Sequence, residues 1–440
     1  MTYYIDAVNG SPAVPGTDPR APRATYTDLS LQPGDTVLFR RGTVMRAPLE
    51  RVSGAPGAPI TYGAFGEGPA PVFSGSVPMT EAGDWREIRR NVWEYRPFFP
   101  DETCNFIFAK HGEGMRGGAL RWSAEELRET GDWYDSRAGS RVSNISLAED
   151  TGARVLLYFE GNPVENTDML ELVPYGGRKL SRNVSYTAVE DLAFWGSGVH
   201  ALAGGARHTA VRRCAFGFIG GAVWSKALKI RFGNAIEFWD FGEDILVEDC
   251  YFNNIYDSCI THQGGADCTP AQDLVMRGNL FLNYGMAAYE GRDRVSVRSS
   301  FTDNLCFAAG GGFTGLGDLV PRRSEIYPRP MGHHVFLWRQ EQATENGAFL
   351  MENNVFGEAT GAAVYSVSSA AADSQQTQKN NRYAMTPEAL CCRKSGTDYS
   401  AAEWLAGKEE GAVWETRSAD ALIAAWFART GVDSLNIPLQ

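Results

Sequence analysis

No apolar run in the sequence approaches the length needed to cross a bilayer. The opening MTYYIDAVNGS lacks the basic and apolar regions of a secretory leader. A cytoplasmic protein is therefore expected, or a secreted one whose leader has been removed. Neither a GxGxxG turn after a strand nor a GxxxxGK[ST] phosphate loop is present, so no cofactor is expected. The eight cysteines show neither CxxC zinc spacing nor the framework of a small disulfide-stapled domain. Positive charge is also short. Against 53 Asp and Glu stand 41 Lys and Arg, a net charge of −12, which argues against nucleic acid or an anionic membrane as partner.

What is present is an ordinary globular composition, 43% hydrophobic and 21% charged, with 48 glycines spread along the chain as many tight turns require. Over residues 184–366 one pattern recurs: Leu192-Ala-Phe194, Cys214-Ala-Phe216, Cys250-Tyr-Phe252, Asn279-Leu-Phe281, Asn304-Leu-Cys306 and Asn354-Val-Phe356. The intervals are 22, 36, 29, 25 and 50 residues. A shortest interval near 22 with longer excursions fits the coils of a solenoid with loops inserted at one corner. The Leu/Cys/Asn position reads as an internal column in which asparagines bond to one another, so Cys214 and Cys250 are packing residues. The excursions, SKALKIRFGNAI at 225–236 and the Gly/Pro-rich 308–347, are expected to build a groove.

Before the repeat, residues 1–76 read as short strands punctuated by Gly and Pro. Residues 77–170 read as an aromatic, β-rich insertion with a short helix at 123–130 and with Trp85, Trp93, Tyr95, Trp122, Trp133 and Tyr134. Those rings would line a sugar-binding wall or, the favoured reading, form a small β core. Residues 171–375 hold the main helix and its groove. From about 376 the repeat fades, and helical segments near 387–392, 400–408 and 419–429 would cap the end of 376–440.

The opening segments YYIDAVNGS, PGDTVLFRRG and PITYGAFGEGP look like the start of right-handed parallel β-helix proteins that act on carbohydrates. Two further segments, RFGNAIEFW (231–239) and IYDSCITHQ (255–263), resemble a motif pair of that group, with Cys259 where glycine is expected. The resemblance covers about residues 1–370. It implies an all-β parallel solenoid and a glycoside hydrolase, lacto-N-biosidase-like or β-xylosidase-like, using a carboxylate pair. Oligosaccharides or polysaccharides are the implied partners; oligomeric state, sugar and linkage are left open.

The residues themselves point the same way. A carboxylate between Ile236 and Phe238 is costly to bury unless paired or functional. Glu237 and Asp257 lie 20 positions apart, near one coil. If they face one groove on coils roughly 4.8 Å apart, their carboxyls approach the spacing of a retaining glycosidase, about 5–5.5 Å. The expectation is an exo-acting, retaining hydrolase with Glu237, Asp257 and Asp240 as acids. Substrate would be held by His262, Gln263, Trp239, Arg231, Tyr289, Glu290 and His334. His200 and His208 read as structural or peripheral.

Two alternatives stand beside this. A lyase or uronate epimerase would use Lys226, Lys229 and Arg231 with Tyr256 or His262 as base, and Asp240, Asp244 and Glu290 for Ca²⁺. A non-catalytic carbohydrate-binding solenoid would show a repetitive polar groove without a unique acid cluster.

Overall fold

The computed structural model describes residues 1–140, 152, 154–176, 179–265, 267–311 and 331–435. The chain coils through three long sheets as a right-handed parallel β-helix. Among the described residues, the first sheet runs over ten strands from Thr2–Ile5 to Gln376–Lys379, and the second over ten from Val44–Met45 to Val413–Trp414. The third runs over nine, from Lys179–Arg182 to Thr397–Ser400. All pairings within these sheets are parallel except the last, Leu390–Lys394 with Thr397–Ser400.

The interior follows the sequence pattern. Phe194, Phe216, Phe252 and Phe281 stack in line, with successive ring centroids 5.2, 4.8 and 4.9 Å apart. This is the strand spacing carried into the side chains. Beside them Leu192, Cys214, Cys250, Asn279, Asn304 and Asn354 form the expected column, all at 0% exposure. Asn279 Nδ2 donates to Asn304 Oδ1 at 3.0 Å, Asn304 to Asn354 at 3.1 Å, and Asn354 to Asn381 at 2.9 Å. Asn381 ends the ladder on Glu409 at 2.8 Å. Each amide satisfies the next, so a buried polar column is built without orphaned groups.

The excursions leave from one corner, between the second and third sheets. Between Val72–Ser74 and Lys179–Arg182 lies the insertion, an antiparallel four-stranded sheet and a five-stranded sheet that is antiparallel except where Ala119–Leu120 pairs with Asp132–Asp135. Between Ala215–Ile219 and Ile236–Trp239 lies the hairpin Ala222–Ser225 with Ile230–Phe232. A third, between Leu305–Ala309 and His333–Gln340, includes 312–330, with the prolines of the long Gly-rich segment, outside the described residues. In the insertion Trp85 and Trp133 are buried in a local core, with Trp93, Tyr95 and Trp122 packed on it and Tyr134 on a neighbouring cluster. These rings pack the insertion's own core, the favoured reading. The short helix expected at 123–130 is a single 3-10 turn, Ala124–Glu126.

The C-terminal region differs from expectation. Coiling continues past 376, and the segment expected to be helical near 387–392 contains the start of strand Leu390–Lys394, because Cys391 and Cys392 are fully buried in the interior. Helix Ala401–Leu405, closed by a capping box from Ser400 and Glu403, brings Trp404 onto Glu409 at the end of the ladder. The longer helix Ala419–Thr430 lies along the outside of the second sheet instead of over the end. Its Trp426 Nε1 donates to Gly278 O at 2.6 Å, and Asp433 accepts from Ala70 N at 3.0 Å.

Candidate active site

Glu237 is placed by strand alternation. Ile236 and Phe238 point into the core, so Glu237 and Trp239 must point out. Pairing of the third sheet then sets a column on its outer face: Ala203, Glu237, Thr261, Glu290, Phe336, Tyr365 and Arg393. A second outward position carries Trp239 opposite Gln263, and further along Arg292 opposite Trp338. Gly233 allows the motif its entry. At φ 137° its Cα lies where a Cβ would sit 2.3 Å from Val199 O, so only glycine lets the coil close before Glu237.

Glu237 is 7% exposed. Its Oε2 accepts from Gln263 Nε2 at 2.7 Å and Asn234 Nδ2 at 3.1 Å, and its Oε1 faces His200 Nε2 at 3.5 Å. His200 Nδ1 accepts from Asn234 N at 3.0 Å, which puts the neutral imidazole's proton on Nε2, toward the glutamate. Asn234 Oδ1 in turn accepts from Ser258 N at 3.0 Å. Ser258 Oγ donates to Glu290 Oε2 at 2.9 Å, Thr261 Oγ1 reaches the same oxygen at 3.5 Å, and Arg292 Nε binds Oε1. Glu237 and Glu290 are thus tied into one network through Asn234 and Ser258.

Asp257, also 7% exposed, precedes the strand Ser258–Gln263 and donates its backbone N–H to Gly233 O at 3.2 Å. Glu290 is fully buried. Burial raises its pKa above the ordinary glutamate value; the Arg292 guanidinium pulls it back, and the Asp257 charge pushes it up again. The Glu290 carboxyl, its pKa raised, therefore lies within the field of Asp257.

The expected pairing of Glu237 with Asp257 needs correction in detail. Glu237 pairs with Thr261, so Asp257 enters four residues upstream. That is roughly 13 Å along the strand plus one step of roughly 4.8 Å between strands, not a direct stack. Glu237 and Glu290 share one column with Thr261 between them, two steps or roughly 10 Å apart by backbone.

Other expected residues fall as follows. Gln263 and Glu290 are in the network, and Trp239 stands beside it at 43% exposure. Asp240 sits in a turn at φ 67°, its Oδ1 accepting from Gly265 N at 2.8 Å. Four others are drawn away from the outer face. Arg231, in the hairpin strand Ile230–Phe232, is buried, donating to Gly221 O and Cys104 O at 2.6 and 2.8 Å and lying 4.5 Å over the Tyr256 ring. His262 pairs with Phe238 on the inward side and is 2% exposed, its Nε2 without a hydrogen-bond partner among the described residues; burial lowers its pKa to about 4. Tyr289 belongs to the interior core, its hydroxyl 3.3 Å from Ser296 Oγ. His334 stacks on Phe356 with its nitrogens engaged by Tyr284 and, at 2.8 Å, by Gly357 O. The period-2 alternation that exposes Glu237 turns these neighbours inward. Cys259, where glycine was expected, is an interior residue.

The proposed Ca²⁺ ligands do not meet. Asp240 is used in its turn, Asp244 lies on the first sheet bonded to His208 at 2.8 Å, and Glu290 is held by Arg292. Among the described residues no group of three or more acidic, His or Cys side chains is arranged to hold a metal ion.

Sequence reasoning missed Asn234, Ser258, Thr261 and Arg292 and set His200 aside. A signal existed for one link. Thr261 and Glu290 are 29 positions apart, the same interval as Cys250 to Asn279, and strand pairing keeps that register.

No family model matches the sequence, and no curated protein matches it. Among solved structures the chain is similar to a xylose complex of XylC, with 14% identity, a TM-score of 0.47, and coverage of 91% of this chain and 73% of that one. It is similar to a GH136 lacto-N-biosidase from Eubacterium ramulus at 12% identity and a TM-score of 0.43, covering 90% of this chain and 58% of that one. It is also similar to the pectate lyase Pel9A at 11% identity and a TM-score of 0.47, covering 91% and 82%. At these values none of them assigns a reaction to this chain.

Proposed function

We propose that the protein is a glycoside hydrolase acting on oligosaccharides at the outer face of the third sheet. The observation that carries this reading is the linking of Glu237 and Glu290 in one polar network through Asn234 and Ser258, with Asp257 near enough for its charge to raise the pKa of Glu290. Glycosidic cleavage needs a carboxylic acid to protonate the leaving oxygen and a carboxylate opposite it. Asp257, whose charge acts on the buried Glu290, takes the acid role. Glu237 is the carboxylate, its charge supported by two amide N–H groups and the His200 N–H.

By backbone, the offset between Glu237 and the other two acids exceeds the direct stack that a retaining pair needs, about 5–5.5 Å between carboxyls, and favours the wider spacing of inverting enzymes, about 6.5–9.5 Å. The reading is therefore inversion, in place of the retention expected from a direct stack. Trp239 offers a flat apolar surface to a sugar ring at the edge of the acids.

The test is proton NMR of reactions with a panel of neutral and uronate-containing oligosaccharides, followed from the first minutes. Products carrying an added water with the anomeric configuration inverted support the proposal. Retained configuration sinks the geometric assignment, and unsaturated products transfer the chemistry to a lyase.

A further inference from the structure

On the opposite edge of the third sheet from the insertion, three successive turns toward the first sheet enclose an open depression of about 570 Å³. It is lined by Gly264, Gly265 and Cys268 of one coil, Asp293 and Arg294 of the next, and Arg339, Glu341 and Gln342 of the third. Its position follows from the chain. Gln263, which holds Glu237, is followed directly by Gly264; Arg292, which holds Glu290, is followed directly by Asp293. Between acids and depression lie Trp239 and Trp338, the latter with the Arg292 guanidinium 4.7 Å and the Arg339 guanidinium 5.9 Å from its ring centre.

From Glu290 to Arg294 is four residues, at most roughly 14 Å of chain, so one continuous molecule can span both places. The lining sets guanidinium donors beside carboxylate and amide acceptors, groups that hydrogen-bond vicinal hydroxyls, with Asp293 and Arg339 ion-paired at 3.6 Å. Arg294 is exposed and has no ion pair among the described residues, which leaves its fork of donors available.

Resting on the hydrolase reading, we infer that this depression is a remote subsite for the far residues of the substrate chain, with Arg294 its principal contact. The site then runs along the strands, across the coil axis, from the acids past Trp239 and Trp338 to the turns. Chains long enough to reach the depression are preferred over disaccharides, and Arg294 sets that preference.

The experiment compares disaccharide and tetrasaccharide members of each active oligosaccharide series in the wild type, Arg294→Ala and Gln342→Ala. The wild type should favour the tetrasaccharide in kcat/KM. Arg294→Ala should raise KM for the tetrasaccharide roughly ten-fold, the loss of one charge-assisted hydrogen bond, with kcat and all disaccharide constants unchanged. Calorimetric titration of Glu237→Gln with the same sugars gives a readout independent of turnover: the tetrasaccharide should bind more tightly, and Arg294→Ala in that background should remove the difference. Equal constants for both lengths, or a length preference that survives both substitutions, overturn the subsite while leaving the hydrolase standing. Absence of both turnover and binding for every sugar overturns the hydrolase reading, and the subsite with it.

Discussion

Glu237 and Glu290 stand in the same outward column of the third sheet with Thr261 between them, and Asn234 and Ser258 join their carboxylates. Two acids two strands apart are thereby fixed without touching. One oxygen of Glu237 takes two amide hydrogens, whereas Glu290 meets two hydroxyls and a guanidinium. The different partners give the two acids different tasks.

Glu237→Gln keeps the size and most of the hydrogen bonds but removes the charge. Turnover should fall by roughly 10²–10⁴, the usual contribution of a positioned acid or base, with sugar affinity retained. Steady-state kinetics with calorimetry checks this; near-normal turnover would remove Glu237 from the mechanism.

Arg292 pulls the Glu290 pKa down, so its removal must let that pKa rise further. The alkaline limb of kcat/KM, where the acid pair loses its proton, should move to higher pH in Arg292→Ala. A limb that stays in place, or moves to lower pH, would mean that Glu290 does not govern the proton of the pair.

Three buried histidines make the fold acid-sensitive. Burial lowers His262 and His334 to about 4 and His333 to about 3, against an ordinary 6.5. The unfolded chain takes up these protons first, so stability is present above about 6.5 and is lost as pH falls from there toward 4. His262→Leu should reduce that slope, and it should cost little at pH 7, because the His262 Nε2 is buried without a partner among the described residues. Urea midpoints at pH 7 and pH 5 decide it: a gap between the two pH values as wide as in the wild type contradicts the assignment.

Asn354 sits mid-ladder, accepting from Asn304 N and Nδ2 and donating to Phe301 O and Asn381 Oδ1. Asn354→Ala strands several buried groups at once and should cost on the order of 3 kcal/mol, read as a lower midpoint in chemical unfolding. A loss below about 1 kcal/mol, the net worth of one ordinary hydrogen bond, would show that the ladder is not cooperative.

Trp239→Ala should weaken substrate binding about three- to ten-fold, the worth of one aromatic contact, and spare kcat. A fall in kcat with KM unchanged would place Trp239 in the chemistry instead.

Much of this architecture was legible in the residues. The recurring Leu/Cys/Asn-x-Phe unit specifies a stack because a coil with Phe194 or Phe216 inside buries that ring only when the next coil supplies another. The acid stretch around Glu237 was legible for the same reason: a carboxylate between Ile236 and Phe238 must point away from the core those neighbours fill. Facing was harder to read. His262, Tyr289 and His334 are polar residues near the acids in sequence, yet each turns inward, and a one-residue change of face moves a side chain from solvent to core. Local pattern also could not show that Asp257 enters four residues upstream of Glu237's partner. Loop lengths at the corners set that register, and loop length carries no periodic signal. Sequence alone determined that the chain is a solenoid and that one of its coils carries buried acid. Only the tertiary structure decided which acids share a network, because that depends on strand pairing between residues some 24 to 29 positions apart.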